Sequence, residues 1–229
     1  MKILGVTDHK ECYKFCKKMF ESKNIDIDFK TSIIGNLKDL EQIDIKNYES
    51  IVEEYDLIFS FHCKQIFPKE LTEKVRCINI HPGYNPYNKG WFPSVWSIIN
   101  GLPTGITIHE INEGIDTGNI IFQEKISVEL WDTAETLYNK LMELERNMLI
   151  KYIDVLISGK YETVVPGEGN YNNKKDYERI RCIDLKQNGT FGDFINRLRA
   201  LTHENYNNAY FYDGNNNKVF VKIKLEKEL

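Results

Sequence analysis

Long apolar runs are missing from this chain of 229 residues, and no stretch approaches the ~20 apolar residues of a membrane span. The opening residues Met1-Lys2-Ile3-Leu4-Gly5-Val6 meet Asp8 and His9 too soon for a secretory leader and read as a buried first strand. Cysteine is sparse and unpatterned. The five (Cys12, Cys16, Cys63, Cys77 and Cys182) form no C-x-x-C pair, which argues against a metal knuckle or a disulfide framework. Cys12 and Cys16 are spaced for one helix face, and an odd count without a leader fits reduced thiols in the cytoplasm. Excess positive charge is also absent: the net charge of −4 provides no basic field for nucleic acid. The turn after the first strand, Val6-Thr7-Asp8-His9, lacks the G-x-G-x-x-G of a dinucleotide loop. No internal repeat and no cluster with metal-ligand spacing is visible, so no metal is expected.

The chain is long enough for one substantial α/β domain with a small appendage, and its 41% hydrophobic content is ordinary for a globular protein. Apolar runs alternate with helical patterns, as in a mostly parallel sheet flanked by helices. Strands are expected at 3–6, 25–34, 56–61, 75–80, 104–111, 119–128 and 180–185. Helices are expected at 11–22, 93–100, 133–158 (stopped by Gly159) and about 191–201. Gly, Asn and Lys enrich 166–176, which reads as a loop, and Asp213-Gly-Asn-Asn-Asn turns a terminal β-hairpin. The division expected from this is a catalytic core over 1–165 and an extension over 166–229.

Two short segments carry the chemistry. Residues 79–84 read Asn-Ile-His-Pro-Gly-Tyr and residues 114–118 read Gly-Ile-Asp-Thr-Gly. On a strand Asn79 and His81 share a face, and Pro82-Gly83 ends that strand, placing His81 near its carboxyl end. Ligands of open α/β sheets bind there. An imidazole beside a carboxylate takes a proton, and a carboxamide N–H holds a developing oxyanion. The combination suits acyl transfer to an amine. Each residue alone has a plainer reading, a strand-end hydrogen bonder or a turn cap. Cys63 and Cys77 read as buried strand residues.

Together the segments resemble the formyltransferase family that uses N10-formyltetrahydrofolate, a Rossmann-like α/β fold. The resemblance implies a catalytic triad of Asn79, His81 and Asp116. It also implies a folate pocket beside the loop after the third strand, His62, Cys63, Lys64, Gln65 and Ile66, closed by Ile111 and Gly114. Backbone groups would read the pterin there. His62 serves either the site or the local structure, and Lys64 reads as a solvated charge.

After the His-Pro step the chain continues Gly83-Tyr84-Asn85-Pro86-Tyr87-Asn88-Lys89-Gly90-Trp91-Phe92-Pro93. This resembles the nucleotide-sugar N-formyltransferases that act on dTDP-linked amino sugars. Tyr84, Asn85, Tyr87, Asn88 and Lys89 offer donors and ring faces to such a substrate. Trp91, Phe92 and Trp96 read as anchors of the loop. The segments 196–203 and 208–211 are most similar to the branch acting on dTDP-4-amino-4,6-dideoxyglucose, with Arg197 a candidate phosphate contact and Arg199 diverging from it. The expected product feeds O-antigen or another surface glycan, and the expected assembly is a cytoplasmic homodimer. Three alternatives stay open: the 3-amino isomer of the sugar, another acceptor such as glycinamide ribonucleotide, and a non-catalytic folate- or nucleotide-binding module.

Overall fold

The computed structural model describes residues 1–228; Leu229, the last residue of the expected extension, lies outside them. In chain order the elements are β1 (Ile3–Thr7), α1 (Lys10–Ser22), β2 (Asp28–Ser32), β3 (Gln42–Ile43), α2 (Tyr48–Glu54), β4 (Leu57–Phe61), α3 (Lys69–Thr72), β5 (Arg76–His81), β6 (Lys89–Gly90) and α4 (Pro93–Asn100). They continue with β7 (Thr104–Glu110), β8 (Ile120–Ile126), α5 (Ala134–Ser158), β9 (Tyr171–Asn172), α6 (Lys174–Arg181), α7 (Phe191–Ala200), β10 (Thr202–His203), β11 (Tyr206–Asn207), β12 (Ala209–Tyr212) and β13 (Lys218–Val221). Two compact units emerge: Met1–His81 with Ile106–Glu124 and Glu145–Gly167, and Pro82–Gly105 with Lys125–Leu144 and Glu168–Leu229.

The first unit is organised by a sheet of order β3-β2-β1-β4-β5-β7-β8. β1 pairs in parallel with β2 and β4, β4 with β5, and β5 turns antiparallel against β7. β4, Leu57-Ile-Phe-Ser-Phe, is buried along its whole length, which is why it is apolar but for Ser60. Phe20 of α1 packs edge-on against Phe59 and Phe61, all three essentially inaccessible. Each such ring contributes roughly 1.5–3 kcal/mol by burial, and Phe20→Ala would cost about 3–5 kcal/mol.

The second unit holds α4, α6, α7 and the small sheets β6–β9, β10–β11 and β12–β13. Here the structure corrects the sequence reading. The stretch 180–185 is not a strand: α6 runs to Arg181, and Cys182 makes only an isolated bridge to Tyr210. The cause is a capping box. Asn173 accepts from the backbone N–H of Asp176 while Asp176 accepts from that of Asn173, so the helix starts inside the expected loop. In the first unit the strand expected at 25–34 shortens to Asp28–Ser32.

Candidate active site

β5 carries Asn79 and His81, and the next residues, Pro82 and Gly83, end it. The antiparallel pairing with β7 sets Asn79 opposite His109 and His81 opposite Thr107. Asp116 arrives from the loop between β7 and β8 in the left-handed conformation, φ 53°, which Asp tolerates better than most residues. Its neighbours fix that loop. Asn112 accepts from the Gly114 amide at 3.0 Å and the Thr117 hydroxyl at 2.7 Å. A Cβ on Gly118 would fall 1.6 Å from the Glu110 carbonyl oxygen, so only glycine fits.

Four side chains meet in this first unit. Asn79 Nδ2 lies 3.4 Å from Asp116 Oδ1, and both His81 Nδ1 and His109 Nε2 lie 3.6 Å from the same oxygen. The 3.6 Å approaches are too long for hydrogen bonds; such contacts tighten when substrate binds. Asn79 Nδ2 is also 3.2 Å from His109 Nε2. His109 Nδ1 faces the Glu110 carbonyl at 2.7 Å and must donate to it; in the neutral ring Nε2 then carries a lone pair and accepts from Asn79. The amide nitrogen therefore faces both His109 and Asp116.

His81 is buried, and its Nε2 has no protein partner. With Nδ1–H toward Asp116, Nε2 presents a lone pair. Burial lowers the His81 pKa below the ordinary imidazole value; the Asp116 carboxylate pulls the other way and His109 adds to the lowering. The ring is neutral near pH 7 and can accept a proton. His109 is the member that sequence reasoning missed. It sits in a strand recognised by Ile106 and Ile108, and only the β5–β7 register brings it to Asn79.

The loop after β4 is held from several sides. His62, at φ 60°, places Nε2 2.9 Å from Glu145 Oε2 of α5, and Cys12 Sγ is 3.6 Å from Oε1. Burial opposes charge on His62, but the Glu145 carboxylate overrides it and raises the imidazole well above its usual range. These three residues place ligand atoms within 4.8 Å of one another, close enough for a cation. They already bond each other, and the Cys16 hydrogen bond with burial raises the Cys12 thiol well above its usual range. A protonated thiol is a weak ligand. Burial also pushes the Cys63 thiol up to about 12. Lys64 and Ile66 are exposed, whereas Gln65 is buried and accepts from the Ile45 amide at 3.2 Å. Ile111 packs on the core and donates its amide to the Cys77 carbonyl at 2.8 Å.

In the second unit, Asn88 is a buried hub. Its Oδ1 accepts from Asn100 and Asn170, each at 2.9 Å, and its Nδ2 donates to Ser97 at 3.3 Å. Asn85 is buried, while Tyr84, Tyr87 and Lys89 are half-buried. Trp96 donates to the Trp91 carbonyl at 3.0 Å, Phe92 lies 4.1 Å from the Tyr177 ring, and Lys174 sits 3.8 Å above Trp91. Those aromatics anchor the loop. Arg197 spends its guanidinium on the Ile180 and Cys182 carbonyls, at 2.8 and 2.7 Å, and on Gln187. Arg199 is buried and binds the Glu129 and Asp132 carbonyls, each at 2.8 Å. Both arginines thus fasten backbone within this unit.

A family model described as formyl transferase matches residues 4–153, and one described as N-formyltransferase dimerization C-terminal domain matches residues 176–227. The chain belongs to the formyl transferase family. Its relatives include a dTDP-4-amino-4,6-dideoxyglucose formyltransferase of Mycobacterium bovis, 46% identical over 230 aligned residues that cover 100% of this chain and 98% of the relative. A 4-N formyltransferase from Francisella tularensis superposes with TM-score 0.94 at 42% identity, covering 99% of this formyltransferase and 98% of the other. The formyltransferase PseJ from Anoxybacillus kamchatkensis, solved with UDP-4,6-dideoxy-4-formamido-L-AltNAc and tetrahydrofolate, superposes with TM-score 0.65 at 27% identity, covering 78% of this chain and 89% of PseJ. Among the described residues, no helix is long and apolar enough to cross a membrane.

Proposed function

We propose that this formyltransferase moves the formyl group of N10-formyltetrahydrofolate to the 4-amine of dTDP-4-amino-4,6-dideoxyglucose. The observation that carries the chemistry is the convergence of Asn79, His81 and His109 on one oxygen of Asp116, with His81 Nε2 left free. The full-length 46% identity to the Mycobacterium bovis enzyme supports the choice of sugar. The amine attacks the formyl carbon, and Asn79, one N–H of which is held by His109, turns the N–H that faces Asp116 at 3.4 Å to the oxygen as it becomes negative. His81 takes the proton from the attacking nitrogen through Nε2, and Asp116 stabilises the imidazolium across Nδ1. The carbon–N10 bond then breaks, His81 returns the proton to N10, and the products are formamido sugar and tetrahydrofolate.

The loop of His62, Cys63, Lys64, Gln65 and Ile66, with Ile111 and Gly114, receives the folate in this reading. Tyr84, Asn85, Tyr87 and Lys89 contact the nucleotide sugar. Asn88 shapes that segment from within, and Arg197 acts by fastening α7 to the end of α6. Residues 1–165 are the catalytic core, and 166–229 pair two copies as a cytoplasmic homodimer serving O-antigen or another surface glycan; the match to a dimerization domain supports the pairing. The test is formyl transfer from N10-formyltetrahydrofolate to the 4-amino and 3-amino dTDP-dideoxyhexoses, tried separately, with His81→Asn as control. Turnover of the 4-amino sugar alone, abolished in the control, is the expected result. Turnover of the 3-amino sugar alone reassigns the acceptor; turnover of neither defeats the proposal.

A further inference from the structure

We propose that Asp8 is a positioning residue for the formyl donor, its carboxylate holding the backbone of residues 62–66 in the conformation that binds folate. The inference rests on the reading of that loop as the folate site. Its basis is the place of Asp8 in the sheet. The order β2-β1-β4 makes the gap between the carboxyl ends of β1 and β4 the point where strand order reverses, the crevice in which open α/β sheets bind ligands. Thr7 pairs with Phe61, so Asp8 and His62 are the next residue beyond the ladder on each side of that gap.

Asp8 bridges the gap. Its Oδ1 accepts from the Thr31 hydroxyl at 3.0 Å and the Ser32 amide at 2.9 Å. Its Oδ2 accepts from the Ser32 hydroxyl and the Lys64 amide, both at 2.7 Å. One side chain thus ties the ends of β1 and β2 to the loop after β4. Gly35 is fitted to it: a Cβ there would lie 2.0 Å from Asp8 Oδ1, so residue 35 carries no side chain. Dinucleotide folds keep this crevice open for a phosphate at the helix N-terminus. Here the protein's own carboxylate lies at that point, and the loop it holds starts beside Phe61, whose partner Ile80 precedes His81.

The geometry also separates positioning from bulk stability. Asp8 is half-buried and Lys64 exposed, so water can satisfy the Lys64 amide once the bond is lost. The loss then falls on the shape of the loop rather than on the core.

The experiment compares the full chain with Asp8→Asn, which keeps one acceptor oxygen and sets an NH2 in place of the other. The NH2 accepts from neither donor of the oxygen it replaces, and loss of the charge-assisted bond from the Lys64 amide predicts a ~10-fold rise in the Kd for tetrahydrofolate and the KM for the formyl donor. The KM for the amino sugar and kcat at saturating donor should stay within about twofold, as expected where uniform binding alone is lost. Thr31→Val, which removes a donor to Asp8 but leaves the Lys64 bond, should keep the wild-type KM for the donor. An unchanged tetrahydrofolate Kd in a folded Asp8→Asn, or parallel changes in kcat and both KM values, would overturn the assignment. Should Asp8→Asn not fold, amide exchange decides in the unmodified chain: the Lys64 N–H must be protected before folate is added, and rapid exchange sinks the idea. A wild-type chain that binds no tetrahydrofolate instead defeats the folate reading of the loop, which distinguishes the two failures.

Discussion

Asn79 and His109 face each other across β5 and β7 with Nδ2 and Nε2 3.2 Å apart. With the Glu110 carbonyl taking the Nδ1–H, the neutral ring of His109 accepts from Asn79 and turns the NH2 of the amide inward. His109 is therefore expected to matter through Asn79. In His109→Leu the amide loses its orienting acceptor, and kcat should fall ~10-fold or more, less than the 10²–10³ typical of deleting an oxyanion donor outright. Asn79→Ala should show the full loss, and the double variant should be little worse than Asn79→Ala. Steady-state kinetics with melting curves check this; additive effects of the two substitutions would mean that His109 acts independently.

Asp116→Asn isolates charge from geometry. Asn tolerates the left-handed backbone of residue 116 as Asp does, so the loop should persist. In the parent, burial lowers the His81 pKa and the Asp116 carboxylate partly restores it. Without that carboxylate the pKa drops further, so the acidic limb of kcat/KM moves to lower pH. At the same time the imidazolium formed during proton transfer loses its counter-charge, and kcat should fall ~10²–10⁴-fold. A limb that moves upward would contradict this account of His81.

Gly118→Ala tests the loop itself. The added methyl carbon would sit 1.6 Å from a backbone oxygen, which cannot yield as a flexible side chain would. Overpacking of this kind costs roughly 1–3 kcal/mol. The strain should fall on the 114–118 turn that carries Asp116, so activity should collapse while most of the melting temperature is retained. Full activity would show that the turn relaxes without moving Asp116.

Asn79, His81 and Asp116, which the structure brings together, were legible in the sequence because they stand beside chain breakers. Pro82 and Gly83 mark the end of β5, and Gly114 and Gly118 frame the turn that Asp116 occupies. The parallel core was legible for a related reason: β4 is apolar but for Ser60 and α1 has clean helical spacing. What escaped was set by register or by neighbours. His109 needed the pairing of β5 with β7, which no local pattern encodes. Arg197 looked like a ligand for phosphate because sequence shows a charge and not the carbonyls it serves. α6 was hidden by the apolar residues Ile180, Cys182, Ile183 and Leu185 at and beyond its end, although the Asn173…Asp176 spacing was a readable start signal. Glu145 was readable too, as a lone charge in the apolar stripe of Leu141, Leu149 and Ile153.

Glu145 yields the last prediction. It pairs with His62 where little water reaches either group, their side chains being 3% and 14% exposed. The folded chain holds His62 protonated well above its ordinary value of 6.5. A group whose pKa rises on folding stabilises fully below its unfolded value and loses that contribution as pH climbs through the folded value. Glu145→Gln removes the partner charge, and breaking a buried pair costs about 3–5 kcal/mol. The deficit relative to wild type should therefore be largest near pH 6 and shrink as pH rises through the raised His62 pKa. Denaturant unfolding of both proteins across pH 6 to 9 measures it. A deficit that stays constant over that range would mean that His62 is neutral in the folded chain, and one that grows would reverse the assigned direction.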